Sequence, residues 1–223
     1  MTTVDRHNNF YWFTGSLVVL MLISSYAHST SALDNFLLVR GILLLTQIVA
    51  FLTLGFSRRF RVFLAIMVVI GIAVNATTHF GQISDQTVIN MLHLVPALLF
   101  FSVMTVAAAR EALFTGVVEA NTIIGTLAIY LLLGLVWAVL YLIILEFFPG
   151  AFNGIEPGSW EDNLSNAVYF SFVTMTTLGY GDISPAFPVS ESLSLLQAVV
   201  GTFYMAIVVA SLVGASTNTR KFG

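Results

Sequence analysis

Long apolar segments separated by short polar stretches dominate the chain. Six of them, at residues 11–28, 36–56, 62–79, 88–109, 123–148 and 190–216, have about the length and character of a membrane-spanning helix, which needs roughly 20 mostly apolar residues. Residues 149–163 are rich in Gly, Pro, Asn and acids and predict an exposed loop. Residues 164–176 are apolar but too short to span, which predicts a re-entrant helix. The pattern therefore predicts an all-α membrane protein.

Composition agrees with this pattern. Of the 223 residues, 58% are hydrophobic and only 9% are charged, and the mean hydropathy is +0.94. Soluble domains carry roughly 25% charged residues. There is no cysteine, which excludes disulfides and thiolate metal sites, and there is no basic run for nucleic acid. We therefore expect membrane lipids as partners and no nucleic acid.

The re-entrant segment leads into Thr-Thr-Leu-Gly-Tyr-Gly-Asp at residues 176–182. Consecutive backbone carbonyls can all point to one side only if residues of alternating handedness follow one another. Glycine reaches positive φ at little cost, and Gly179 and Gly181 stand two positions apart. The run from Val173 to Asp182 resembles the selectivity filter of potassium channels, in which carbonyl oxygens replace the hydration shell of the ion.

This resemblance implies a potassium channel pore domain over residues 123–217, with four identical chains around one axis. Potassium ions would bind at Thr177, Leu178, Gly179 and Tyr180, and Gly181 would complete the filter. Leu178 replaces the commoner Val or Ile of the family motif, while its carbonyl is unchanged. No organic cofactor is expected. The family pattern also assigns filter support to Thr176, Asp182 and Tyr169, the Tyr169 hydroxyl steadying the Asp182 carboxylate; simple packing by Tyr169 is an equal alternative.

The last helix carries two further expectations from the resemblance. Gly201, 20 residues after Gly181, matches the hinge glycine of related inner helices. We favour a hinge at Gly201. The alternative is close helix packing, which would also explain a small residue in a membrane helix. Residues spaced three or four apart would line the cavity below the filter and form a dewetting gate, namely Thr202, Met205, Val209 and Val213.

Basic residues indicate the orientation. Seven of the eight fall on one side of the six predicted spans, Arg40 being the exception, and the positive-inside rule makes that side cytoplasmic, with both termini. The opposite side carries acids that would attract cations to the outer mouth, although for Asp34 and Asp85 we favour simple loop solvation. These acids are Asp34, Asp85, Glu146, Glu156, Glu161, Asp162, Asp182 and Glu191.

Residues 1–110 would form a four-helix front domain, residues 111–122 an amphipathic linker helix on the cytoplasmic face, and residues 218–223 a short tail, which leaves no room for a small-molecule ligand domain.

Voltage sensing needs repeated basic residues in the fourth helix, each charge supplying roughly 2.3 kcal/mol per 100 mV. Residues 88–109 contain none. We therefore expect no steep voltage gating. The sequence Ser25-Tyr26-Ala27 resembles a signal-peptidase site, but we expect the first segment to be retained.

Several alternatives remain beside a passive potassium channel that is not an enzyme. They are a non-conducting regulatory or structural subunit, a weakly selective cation channel, and a transporter or membrane enzyme. No internal repeat supports a transporter, and few acids lie within the spans, as an enzyme would need. His28, His79 and His93, with Asn75 and Asp85 near the same level, form a candidate proton or metal sensor; we favour three separate histidines.

Overall fold

The computed structural model describes residues 9–27, 32–53, 58–79, 85–113 and 120–219. Almost all of these residues are helical, which agrees with the predicted all-α class. The helices are α1 (Asn9–Ala27), α2 (Ala32–Thr53), α3 (Arg58–His79), α4 (Gln86–Leu113), α5 (Ala120–Phe147), α6 (Trp160–Met175) and α7 (Pro188–Thr219). Two short strands, β1 (Phe152–Asn153) and β2 (Ser184–Pro185), complete the described elements.

Three helices of the described residues are long and apolar enough to cross a membrane by length and composition. These spans are Gln86–Arg110, Ile123–Phe147 and Pro188–Val208. The stretches Phe10–Tyr26, Leu38–Thr53 and Phe60–Ala76 are apolar but shorter. The predicted count of six spans therefore remains a prediction for the first three helices. The linker helix over 111–122 also remains a prediction, because α4 continues to Leu113 and residues 114–119 lie outside the described residues.

Helix α5 lies at the centre of the hydrophobic core. Its side chains Leu132, Leu135, Ala138 and Leu142 are almost completely buried. Helices α4 and α1 pack along it from the front, α6 packs on another face, and α2 reaches both α1 and α6. The front helices are thus packed against α5 and α6 of the same chain.

Helix α6 begins earlier than the sequence predicts. We expected a loop to residue 163 and a helix from residue 164, but the helix starts at Trp160. Ser159 is the N-cap, since its hydroxyl oxygen accepts a hydrogen bond from the Asp162 N–H at 3.3 Å. At 16 residues the helix is about 24 Å long, which is short of a hydrocarbon core of roughly 30 Å.

A two-stranded ribbon joins the loop before α6 to the segment after residue 182. Strand β1 pairs antiparallel with β2, with Phe152 opposite Pro185 and Asn153 opposite Ser184. Gly154 follows with a φ of 80°, and a Cβ atom there would overlap the carbonyl oxygen of Asp182. Only glycine fits this close approach, so the outer loop directly fixes the end of the 176–182 segment.

Candidate functional site

Residues 176–182 begin where α6 ends, and hydrogen bonds tie the two together. The N–H groups of Leu178 and Gly179 both donate to the Val173 carbonyl, at 3.0 and 3.3 Å. The Thr176 hydroxyl donates to the Phe172 carbonyl at 2.7 Å. These bonds end on carbonyls of the last turn of α6, where a helix leaves carbonyl groups without their usual partners; the Phe172 carbonyl also accepts the Thr176 N–H at 2.9 Å. The position of the segment therefore follows the position of α6.

The backbone of this segment alternates in handedness. Thr177, Gly179 and Gly181 have φ values of 59°, 56° and 82°. Among the described residues Thr177 is the only non-glycine with positive φ, and in a β-branched residue this conformation is rare and costs roughly 1–3 kcal/mol. The sequence analysis anticipated alternation at the two glycines but not at Thr177. Alternating handedness turns successive carbonyls toward one side, which is the geometry for binding a dehydrated cation.

Much of the segment lies on an open surface of the described chain. Leu178 is 55% and Tyr180 67% exposed, although both side chains are large and hydrophobic. Apart from the glycine and its two chain neighbours, no atom of the described chain lies within 4 Å of where a Cβ would stand on Gly179 or Gly181. The described residues therefore leave this segment uncovered on at least one side.

Tyr169 and Asp182 support the outer end of the segment. The Tyr169 hydroxyl donates a hydrogen bond to Asp182 Oδ2 at 2.6 Å, and the Ile183 N–H donates to Asp182 Oδ1 at 3.0 Å. The bond from Tyr169 lowers the pKa of Asp182 and raises the pKa of Tyr169 to about 12. Asp182 therefore keeps a negative charge here. The contact implied by the resemblance is present, and its role in ion conduction remains a proposal.

A buried polar network joins α5, α6 and α7 behind the segment. The amide nitrogen of Gln197 donates to Ser171 Oγ at 2.7 Å and to its carbonyl at 2.9 Å. Ser171 Oγ donates to the Gly134 carbonyl at 2.6 Å, and the Tyr141 hydroxyl donates to the Gln197 carbonyl oxygen. Gln197, Ser171 and Tyr141 are completely buried. The sequence analysis missed this network, although two polar residues inside apolar helices were a visible signal.

Gly201 packs against the end of α6. A Cβ at this position would lie 2.7 Å from Met175 Cγ and 2.8 Å from the Met175 carbonyl oxygen. Helix α7 continues without a break through Gly201. Close packing against Met175 thus explains why residue 201 is glycine in this conformation. The hinge remains a prediction. Thr202 and Met205 are exposed on α7, whereas the side chains of Val209 and Val213 lie outside those that the structure describes.

A buried ion pair connects α2 to the first turn of α6. Arg40 Nη2 and Nε donate to Glu161 Oε1 at 2.8 and 3.0 Å, and the two side chains are only 5% and 4% exposed. We expected Glu161 at the outer mouth, and Arg40 on the same side as the one basic residue there. The expectation for Glu161 is wrong, because a partner 121 positions away compensates its burial. Arg40 in turn compensates the charge on Glu161.

The histidines remain a weak sensor candidate. His93 stacks on Trp160, with ring centroids 5.6 Å apart. His28 and the side chain of His79 lie outside those described, and Asp85 is exposed at the start of α4. Among the described residues no group of three or more His, Asp or Glu side chains could hold a metal ion.

Comparison with known proteins agrees with the motif. Residues 125–217 match a family model described as ion channel. Two-pore potassium channel 4 of Arabidopsis thaliana is 31% identical over 99 residues, which are 44% of this chain and 33% of that protein. The chain thus covers about a third of this relative's length. No solved structure matches. The two matches support a potassium channel family and confirm the resemblance.

Proposed function

We propose that this chain is the subunit of a homotetrameric, potassium-selective channel that conducts passively across a membrane. The observation that supports this most strongly is the alternating backbone at Thr177, Gly179 and Gly181, inside the part of the chain that matches the ion channel family. Carbonyl oxygens of residues 177–180 from four copies would replace the water around a potassium ion. Such an ion is the transported species, and no organic cofactor takes part.

Assembly of several copies follows from the exposed side of the segment. One strand of carbonyls contacts an ion from one side only, so the other sides must come from other chains. A closed ring of identical subunits provides them by cyclic symmetry. In such a ring the uncovered Leu178 and Tyr180 side chains would pack against neighbouring copies instead of facing water.

Electrostatics at the two ends of the 176–182 segment favour a cation within it. The C-terminal end of the helix carries partial negative charge and leads directly into Thr176. Asp182 stands at the other end of the segment with its pKa lowered by Tyr169. A cation between them is attracted from both sides. These two attractions favour cations over anions. Selectivity for potassium over sodium depends instead on the geometry of the carbonyl oxygens.

The front helices would support the pore instead of sensing voltage. Within α4 the basic residue of the last turn is Arg110, and residues 88–109 hold no other. Arg40 on α2 is held in the pair with Glu161. Steep voltage dependence needs several charges that cross the membrane field one after another. Arg110 and Arg40 do not form such a series. We also propose an integral membrane location with both termini on the cytoplasmic side.

Flux into liposomes tests this function. Purified protein should pass potassium much faster than sodium under matched gradients, and barium should block the flux. Gly179→Ala should abolish selectivity or assembly, because alanine at positive φ is strained. Gly41→Ala is the matched control, since Gly41 lacks positive φ and no atom beyond its own helix backbone lies within 4 Å of a Cβ there.

Two results would contradict the proposal. Equal potassium and sodium flux would indicate a weakly selective cation channel. A correctly assembled protein that passes neither ion would indicate a non-conducting subunit.

A further inference from the structure

A small cavity lies between α2, α3 and α4 of the front helices. Its volume is about 40 Å³. The residues around it include Arg40, Gln47, Gly71, Asn75, His93 and Pro96. Most of the wall is apolar, but Arg40, Gln47, Asn75 and His93 bring polar groups to it.

Two buried atoms at this cavity have no hydrogen-bond partner. They are Gln47 Oε1 and His93 Nε2, and the Gln47 side chain belongs to a residue only 8% exposed. The other ring nitrogen, His93 Nδ1, lies 2.9 Å from the Ile89 carbonyl oxygen. Because a carbonyl only accepts, Nδ1 carries the proton, which leaves Nε2 with a lone pair in the neutral ring. Both unpartnered atoms are therefore acceptors.

Proline adds a third acceptor on the same wall. Pro96 has no N–H, so it cannot donate to the carbonyl of Leu92 one turn earlier, and both residues line the cavity. In membrane helices such freed carbonyls are commonly satisfied by neighbouring side chains or by ordered water. The residues that line the cavity therefore offer hydrogen-bond acceptors to a donor from outside the described chain.

The size and charge of the cavity restrict that donor. A water molecule needs at least about 10–15 Å³, so the cavity holds on the order of one to three. A cation is disfavoured because the Arg40 guanidinium forms part of the wall. A hydrocarbon tail would leave the acceptors without partners, which is costly for buried polar atoms.

We propose that this cavity is a binding site for water, which donates hydrogen bonds to Gln47 Oε1 and His93 Nε2. Water is the smallest neutral molecule with two donors, and both acceptors belong to residues that line this cavity. The site also borders Arg40, which pairs with Glu161 at the start of α6. The polar interior of the front helices therefore extends from the hydrated cavity to the helix that carries the filter motif. This inference does not depend on ion conduction.

The sign of one substitution separates a hydrated cavity from a dry one. Gln47→Met keeps roughly the shape of the side chain and replaces its whole amide, including the Oε1 acceptor, with an apolar thioether. If water is bound, the variant loses a satisfied hydrogen bond and its melting temperature falls by roughly 2–4 °C. If the cavity is dry, the variant removes a costly unpartnered oxygen and the melting temperature rises. Thr46→Val is the matched control, since the buried Thr46 hydroxyl bonds to the Ile42 carbonyl of its own helix.

A direct measurement complements the melting experiment. Full-length protein labelled with 15N-histidine is reconstituted in lipid nanodiscs, and His93→Gln identifies the His93 signals. We expect magnetisation transfer from water to the His93 ring, and a shift of its Nε2 signal in Gln47→Met but not in Thr46→Val. No transfer to the ring, or a higher melting temperature in Gln47→Met than in the wild type, would overturn the proposal.

Discussion

The buried pair between Arg40 and Glu161 gives the sharpest mutational prediction. Replacing Arg40 with Met leaves the Glu161 carboxylate buried without a cation, because the side chains are 5% and 4% exposed and bonded at 2.8 Å. Breaking a buried pair by removing one partner typically costs about 3–5 kcal/mol. At roughly 2–4 °C per kcal/mol for a chain of this size, the melting temperature should fall by about 6–20 °C.

The double variant Arg40→Met with Glu161→Leu tests whether this cost arises from the unpaired charge. Replacing both partners by apolar groups is often nearly neutral, so it should recover most of the lost stability. The assay is thermal unfolding of the purified protein in detergent, followed by tryptophan fluorescence. Arg61→Met, at an exposed arginine on α3, is the control and should change little.

Two results would refute this reasoning. A loss below about 1 kcal/mol in Arg40→Met would mean that the pair is not buried in the protein. A double variant whose loss equals the sum of the two single losses would mean that the two residues are not coupled. In an assembled channel, Arg40→Met should also reduce potassium selectivity, because α6 holds the start of the filter segment.

Three further predictions concern the site itself. Tyr169→Phe removes the hydrogen bond that lowers the pKa of Asp182 below its ordinary value of 3.8. In the wild type the Asp182 carboxylate stabilises the folded state above pH 3.8, and this contribution is lost as the pH falls through the lowered pKa. The variant lacks this lowering, so acid inactivation of its flux should begin at a higher pH. A titration with no shift between wild type and variant would contradict this. Gln197→Leu should cost about 1–3 kcal/mol for each group left without a partner, measured by unfolding, and an unchanged melting temperature would count against the network. Gly201→Ala should lower selectivity as well as stability, because the new methyl meets the Met175 carbonyl; a change in open probability alone would favour the hinge.

The sequence predicted the helices well because their signal is local. Long apolar runs specify a helix in a membrane without help from distant residues, and residues 120–147 and 188–219 form helices close to where the pattern indicates. The motif at 176–182 was equally readable, since a requirement for positive φ at every other residue selects glycine. Even there, Thr177 shows that the backbone imposes the same conformation on a residue whose type does not suggest it.

Features that depend on distant partners were not predictable. Residues 160–163 read as a loop because they carry two acids and an asparagine, yet Glu161 is buried by Arg40 from α2. The role of Gly201 was equally ambiguous, because bending and close packing both favour glycine. Only the nearness of Met175 gives the packing explanation its support. Distance in sequence, 121 residues in the first case, is the reason that local patterns failed.

The most direct test of the central claim is a structure of the full chain in lipid with potassium or thallium. The account predicts four subunits around one axis and a row of ion density on that axis, each ion surrounded by carbonyl oxygens of residues 177–180 from all four chains. A single or paired subunit with the 176–182 segment facing lipid, or a closed assembly without ions along the axis at high potassium, would contradict it.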